Sequence, residues 1–431
     1  MEYSGGKIPC GVFFLMRVFL SAGEPSGDHH AALLMRAMKQ RQPDVECVGL
    51  GGPCMAAQGC PLLADLTQLA VMWFVRVVLN IHRFVELVRR AERSFLDNKP
   101  DVCVLVDFPG FHWWLAWRAK RHGIPVVFYC PPQIWAWASW RIGKLRRLVD
   151  HVLSALPFEH DWFVSRGVSS TLVGHPFFDE LHAYRQPQAP TLAPLVLLLP
   201  GSRSQEIEAN LASMLQSVAE VHAHVPQARF IVAALHERHA IAARAKIHSA
   251  AGVLGSASVQ VAVGRTRSLI GEACCAIAVS GSVSLELLAA RVPAVIIYRI
   301  SRWGFIVQSW FRHARFITLV NLLAICDPIG PVRGVWRSPR HVAPADPAAI
   351  YPEYLSVQDP AAAVAEHVIQ WLQQPAQRHR VVARLEAVAA AVAQGGSANR
   401  AAEAVLKIAA GAEARQHHQH KELLVGATNA A

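Results

Sequence analysis

Charge is scarce in this chain: 17% of its 431 residues are Asp, Glu, Lys or Arg, against 53% hydrophobic. Global disorder is thereby excluded, and there is material for sizeable cores. Nine cysteines are present, an odd number, and no two are spaced as C-x-x-C. That argues against a zinc site and a disulfide framework, and for a reducing cytoplasm. Cys103, Cys130, Cys274 and Cys275 stand in apolar runs, where free cysteine behaves as a small hydrophobe. Long apolar runs are missing as well. Val12–Leu20 is interrupted by Arg17 and is far too short to span a bilayer. It leads straight into a glycine-bearing loop, so it reads as a first buried strand rather than a signal peptide, behind a ten-residue extension.

What charge there is leans basic. Lys and Arg outnumber Asp and Glu by 42 to 31, for a net +11, which favours an acidic partner: nucleic acid, an anionic lipid surface or a phosphorylated substrate. The aromatics and arginines form no nucleic-acid-binding motif, which sets that partner aside.

Short apolar runs alternate with helical patterns along the chain. Strands are expected at Arg17–Ser21, Val45–Gly49, Val102–Asp107, Val126–Cys130, His151–Ala155 and Thr171–Val173, with helices such as His30–Gln40, Arg76–Phe95 and Phe111–His122 between them. After a polar, proline-bearing break at Tyr184–Pro194 the rhythm restarts with Leu195–Leu199, Phe230–Ala234, Val259–Val263, Ala276–Ser280 and Ala294–Tyr298. Continuous apolar strands are buried on both faces, which predicts parallel sheets covered by helices: two doubly wound α/β domains facing a cleft. The expected division is residues 1–185, residues 186–360 with an inserted loop at 326–349, and helices with a frayed tail over 361–431.

Three strand-to-helix turns could carry chemistry. Ala22–Asp28 holds Gly23, Glu24, Ser26 and Gly27, and either lines a substrate or caps its helix through Ser26 or Asp28. Leu199–Ser204 holds Gly201, Ser202 and Arg203; the arginine either clamps a diphosphate or pairs with Glu206 or Glu208. Ser280–Glu286 holds Ser280, Gly281, Ser282 and Glu286, which suit a nucleotide sugar, phosphate at the helix start and ribose at the carboxylate; the bland alternative is a tight turn and a solvated glutamate.

Asp107 ends a buried strand, where partial burial raises a carboxyl's pKa and suits a general base; the alternative is a helix cap. Tyr129–Trp140, with Gln133 in it, is an aromatic loop for sugar or acyl chains, or else a core plug. His175, in Gly174-His175-Pro176, is a ligand contact or a structural histidine. Val71–Ile81, with Val71, Trp73, Phe74, Val77 and Val78, leads into Arg83, Arg89, Arg90 and Arg93. Apolar plus basic composition suits contact with an anionic membrane, or burial against a partner subunit.

Taken together these strings resemble the lipid-A-disaccharide synthases, inverting glycosyltransferases of family 19. The matching segments are Ala22–Asp28, Val106–Gly110, Pro132–Trp137, Leu156–Glu159, Gly174–Pro176, Leu199–Arg203, Ser280–Glu286, Tyr298-Arg299 and Leu319–Ala324, within about Val18 to Leu355. The resemblance implies a GT-B fold with C-terminal helices crossing back to the first domain. It implies transfer of 2,3-diacylglucosamine from its UDP derivative onto 2,3-diacylglucosamine 1-phosphate, giving a β(1→6) disaccharide and UDP, without metal or other cofactor. Asp107 then resembles the base for the acceptor's 6-hydroxyl and Arg203 the arginine near the donor diphosphate. Ser280, Gly281, Ser282, Glu286, Arg299 and Asn321 fall on substrate- or nucleotide-site positions. Val71–Ile81 is similar to the membrane-facing patch, which implies peripheral attachment to the cytoplasmic face of the inner membrane, and a homodimer is compatible with the family.

The chain departs from the pattern in four places. Met72-Trp73-Phe74-Val75-Arg76 replaces Met-Gly-x-x-Glu, His112 replaces an asparagine, Ser356 replaces a glutamine, and Cys326–Ala349 is an insertion. These bear on acceptor recognition more than on the donor site. Two other readings stand beside this one: a UDP-sugar epimerase or different GT-B transferase, and a basic scaffold that has lost catalysis.

Overall fold

A computed structural model describes residues 15–70, 81–179, 193–311, 313–330, 342 and 345–411. The patch residues Val71, Trp73, Phe74, Val77 and Val78, and most of the 326–349 insertion, lie outside the described residues.

Two sheets, parallel throughout, organise the chain. The first contains β1 (Arg17–Ala22), β2 (Glu46–Gly51), β3 (Leu62–Asp65), β4 (Val102–Val106), β5 (Val126–Tyr129), β6 (His151–Ser154) and β7 (Ser170–Leu172), in spatial order β3-β2-β1-β4-β5-β6-β7. The second contains β8 (Leu195–Leu199), β9 (Arg229–Ala234), β10 (Val259–Val263), β11 (Cys275–Val279), β12 (Ala294–Arg299) and β13 (Glu353–Ser356), ordered β10-β9-β8-β11-β12-β13. Both are doubly wound, as the continuous apolar strands predicted.

The pleat explains why those strands carry no polar face. In β4, Val102, Val104 and Val106 join the core on one side of the sheet while Cys103 and Leu105 join the core on the other. In β11, Cys275, Ile277 and Val279 divide from Ala276 and Ala278 in the same way.

Two edge strands, β3 and β13, were not anticipated. Leu62–Asp65 is only half-buried and too short to show a period, and Glu353–Ser356 carries a buried carboxylate where apolar content was the guide. The first helix begins at Pro25 rather than His30, because proline at a helix start costs no hydrogen bond. The helix expected over Arg76–Phe95 is described as Ile81–Asp97.

Helices Ala361–Gln373 and Pro375–Val392 pack on the second sheet. The last helix, residues 397–411, packs on the first through Ala398, Ala401, Ala402, Val405 and Ala409. Asp179 caps it, accepting from the N–H groups of Ser397 and Ala398, both at 2.8 Å. Arg400 adds a bond from Nε to the Val173 carbonyl at 2.8 Å. The chain thus returns to its first domain after building the second.

Candidate active site

Each sheet reverses its winding between two central strands, β1 and β4 in the first and β8 and β11 in the second. Loops leaving those strands splay apart and open a crevice at their carboxyl ends. All four motifs with chemical potential sit on such loops: Gly23–Gly27 after β1, Asp107 after β4, Gly201–Arg203 after β8 and Ser280–Ser282 after β11.

Two cavities occupy the cleft. The larger, about 940 Å³, is lined by Gln133, Trp137, Trp140, Ser280, Gly281 and Tyr298 among others. The smaller, about 460 Å³, holds Ser26, His30, Asp107 and Glu159. Gln133, His175, Ser282 and Leu319 line both, so the two adjoin across the domains.

Asp107 occupies a strained turn. Asp107 and Phe108 are successive non-glycine residues in the left-handed region, at φ 54° and 50°. Three contacts hold them there. Phe108 donates its N–H to Asp107 Oδ1 at 2.9 Å, and His112 Nδ1 donates to the Asp107 carbonyl at 2.5 Å. The Phe108 ring lies against Gly23, where an added Cβ would meet Phe108 Cγ at 2.2 Å. Gly23 is therefore required by packing of the two loops against each other. Burial pushes the Asp107 carboxyl up from its ordinary value, with the Phe108 N–H opposing.

Glu24 is raised chiefly by burial, then by the Asp107 charge, while Arg203 from the second domain pulls it down. These three groups therefore share one electrostatic neighbourhood across the cleft. Arg203 itself is 81% exposed and lies 3.6 Å from Glu206, so the pairing alternative for that arginine is realised in this conformation. Glu206 also accepts from the N–H groups of Ser202 and Arg203, at 2.9 and 3.3 Å, which fixes the turn after Gly201.

In the third turn, Ser284 donates from Oγ to the Gly281 carbonyl at 2.8 Å, and Ser280 Oγ reaches the Ile317 carbonyl at 3.4 Å. Gly281 has no positive φ, and a Cβ built on it would meet nothing within 4 Å. Neither strain nor protein packing asks for glycine there, while the space above it is cavity. Glu286 is half-buried in the helix Val283–Ala290; burial raises it and Arg267 lowers it.

Three motif residues have other work. Asp28 is buried and accepts from Gly52, Cys54 and Met55 N–H groups at 2.8, 2.8 and 3.2 Å, capping the helix Pro53–Ala57 instead of its own. Arg299 pairs with Asp359, 3.2 Å from its guanidinium. Asn321 is fully buried: its Nδ2 donates to the Tyr351 carbonyl and Glu353 Oε1, both at 2.7 Å, and its Oδ1 accepts from Ile350 and Tyr351 at 2.9 Å. Every donor and acceptor of that side chain is used within the protein.

The aromatic loop divides between both of its readings. Trp135 is buried, donates from Nε1 to Glu159 at 3.0 Å and forms part of the wall of the larger cavity, while the exposed Trp137 and Trp140 also line it. Two cavity residues escaped sequence reasoning. Glu159 is pushed up to about 7 by burial, and His30 is pulled down to about 3, by burial first and then by His175. Both follow the carboxyl ends of strands, β6 and β1, a signal that was available. His175 Nδ1 accepts from the Phe177 N–H at 3.3 Å, leaving Nε2 as the protonated nitrogen.

The family model for lipid-A-disaccharide synthetase matches residues 18–327. The chain belongs to the lipid-A-disaccharide synthetase family. A lipid-A-disaccharide synthase of Myxococcus xanthus is 32% identical over 406 residues, covering 91% of this chain and 97% of the relative. One from Legionella pneumophila is 32% identical over 316 residues, covering 72% and 81%. Among solved structures, a glycotransferase of kitacinnamycin superposes with TM-score 0.58 at 14% identity, over 91% of this chain and 99% of that one. Acinetobacter baumannii MurG gives 0.51 at 14%, and UDP-GlcNAc 2-epimerase of Neisseria meningitidis gives 0.54 at 10%, each over 91% of this chain and 99% of the other. At such identities these structures establish the GT-B fold alone. Transferase and epimerase share that fold, and it is the family match that separates them.

Proposed function

We propose that the chain is an inverting glycosyltransferase of lipid A biosynthesis that joins two diacylglucosamine units. Its donor is UDP-2,3-diacylglucosamine and its acceptor 2,3-diacylglucosamine 1-phosphate. The observation that supports this best is the placement of Asp107 in a cavity that adjoins, through Ser282 and His175, the cavity holding Ser280 and Gly281. An acceptor hydroxyl in the first and a nucleotide in the second would meet at their junction.

The chemistry then follows from the residues. Asp107, raised by burial, takes the proton of the acceptor's 6-hydroxyl as that oxygen bonds to the donor's anomeric carbon. The bond from that carbon to the diphosphate breaks on the opposite face, which inverts the centre and releases UDP. Charge growing on the diphosphate is met by the N-terminus of the helix Val283–Ala290 and by Arg203. The large cavity offers Trp137, Trp140, Phe316, Leu319 and Leu322 for acyl chains.

Among the described residues no helix is long and apolar enough to cross a membrane. The reading has the enzyme meet its lipid substrates peripherally, on the cytoplasmic face, with residues 71–78 as one contact. Homodimerisation is carried over from the family in the same way.

The test is UDP release from the donor with and without acceptor, in chelator. Acceptor-dependent release that falls at least about 100-fold in Asp107→Asn is expected. Release without acceptor would point to hydrolysis, and turnover of Asp107→Asn within a few-fold of wild type would remove the general-base role.

A further inference from the structure

In the first domain, the helices Pro109–Arg121 and Ile142–Leu148 flank a groove of about 620 Å³. It is lined by Trp113, Trp114, Trp117, Lys144 and Arg147, with Lys120 and Arg121 at its rim. A helix face that packs against no other element ordinarily shows small polar groups to water. Here Trp114 is 64% exposed and Trp117 40%. Such exposure of two indoles one turn apart calls for a partner.

The charge of the groove is one-sided. Lys120 is paired with Asp150 and Arg118 with Glu92, but no carboxylate partners Arg121, Arg141, Lys144 or Arg147 among the described residues. The cations are gathered over indole faces instead: Arg118 and Arg121 lie 4.7 and 5.1 Å from the Trp117 ring, Lys144 5.3 Å from Trp113, and Arg141 5.0 Å from Trp137. Desolvation and the neighbouring Arg141 and Arg147 hold Lys144 below its ordinary value. Trp113 keeps a buried Nε1–H with no acceptor. An oxyanion in the groove would meet several cations that no carboxylate neutralises.

We propose that this groove binds the phosphate headgroup of an anionic phospholipid within a bilayer, with Trp114 and Trp117 at the membrane interface. Indoles at headgroup depth beside Lys and Arg are the composition that an anionic interface selects. The surface also continues toward the cleft. Arg141 covers Trp137, and Trp137 and Trp140 line the larger cleft cavity. Docking there would bring the cavity mouth to the bilayer from which an acylated substrate is drawn. The choice of a bilayer over another polyanion rests on the proposed lipid substrate; the binding itself does not.

The test uses the full chain and vesicle sedimentation in the absence of substrate. Vesicles are phosphatidylcholine alone or mixed with phosphatidylglycerol. Lys144→Glu with Arg147→Glu should weaken binding to the anionic vesicles at least about tenfold and leave binding to neutral vesicles unchanged. Trp114→Ser with Trp117→Ser should weaken binding to both. All four side chains lie outside the catalytic cleft, so turnover of detergent-dispersed substrate should stay at the wild-type rate, which also verifies folding. Wild-type affinity of the charge-reversed protein for the anionic vesicles would overturn the proposal. So would tighter binding of a single-stranded RNA than of anionic vesicles that the same substitutions abolish. Loss of turnover in wild type with vesicle binding intact would count against the reaction and not against this surface.

Discussion

His112 Nδ1 donates to the main-chain carbonyl of Asp107 at 2.5 Å while its Nε2 accepts from Ser21 Oγ at 2.9 Å. The imidazole thereby ties the turn after β4 to β1, across the switch point of the first sheet. A neutral ring protonated at Nδ1 offers a donor and an acceptor, as would the asparagine that the family resemblance implies here.

That role makes stability depend on pH in a predictable direction. His112 is fully buried, and desolvation pulls it down to about 3, below the 6.5 of an unfolded histidine. Its stabilising contribution is fully present above pH 6.5 and is lost as pH falls toward 3, because the unfolded chain takes up the proton first. Between pH 7 and pH 5 this group should cost about 2 kcal/mol. Denaturant titrations at the two pH values should show that loss in wild type, and a smaller loss by about that amount in His112→Asn. Equal slopes for both proteins would mean that His112 is not neutral and buried as described.

Gly281 gives a test of the nucleotide site that folding cannot confuse. Its Cβ position is empty space and its φ is ordinary, so Gly281→Ala should leave stability within about 0.5 kcal/mol. If a donor diphosphate approaches this backbone, the methyl stands in its way and the donor KM should rise at least about tenfold, a loss of about 1.4 kcal/mol. An unchanged KM would place the donor elsewhere in the cleft.

The fold was legible because continuous apolar runs such as Val102–Val106 leave no polar face to mislead, and strand-to-helix turns mark where each run ends. Short edge strands were not, since β3 has neither length nor full burial and β13 begins on the buried carboxylate Glu353. At the site, sequence position identified which loops reach the cleft. It did not identify which side chains those loops spend on themselves. Asp28 and Asn321 occupy motif positions, yet their oxygens are consumed by main-chain N–H groups brought from more than twenty residues away. Distant pairing of that kind has no local signature. Glu159 was legible in principle, standing after a strand end in a matching string, but nothing local told that Trp135 would bury it.

Asn321 should therefore behave as a structural residue when changed. Asn321→Ala leaves the Ile350 and Tyr351 N–H groups without an acceptor and takes one donor from Glu353, whose other donors are Ile317 N–H and Thr318. The expected loss is on the order of 3 kcal/mol in chemical denaturation. Donor and acceptor KM of the protein that remains folded should stay near wild type. A raised KM with unaltered stability is the opposite pattern, and would restore the contact with substrate.

Arg203 is the residue for which the two readings diverge most sharply. Exposed and 3.6 Å from one carboxylate, its ion pair with Glu206 contributes little to folding. Arg203→Ala should shift the melting temperature hardly at all. If the side chain swings from Glu206 to the diphosphate when donor binds, kcat should fall at least about 100-fold in Arg203→Ala. Arg203→Lys should recover only part of that, since an ammonium restores the charge without the planar two-pronged donor. Glu206→Ala supplies the contrast: it frees Arg203 but removes the acceptor for the Ser202 and Arg203 N–H groups, so it should lower stability before it touches the chemical step. Measuring kcat and melting temperature for the three variants separates a catalytic arginine from a surface pair. Wild-type kcat in Arg203→Ala would leave the pairing with Glu206 as all that this arginine does.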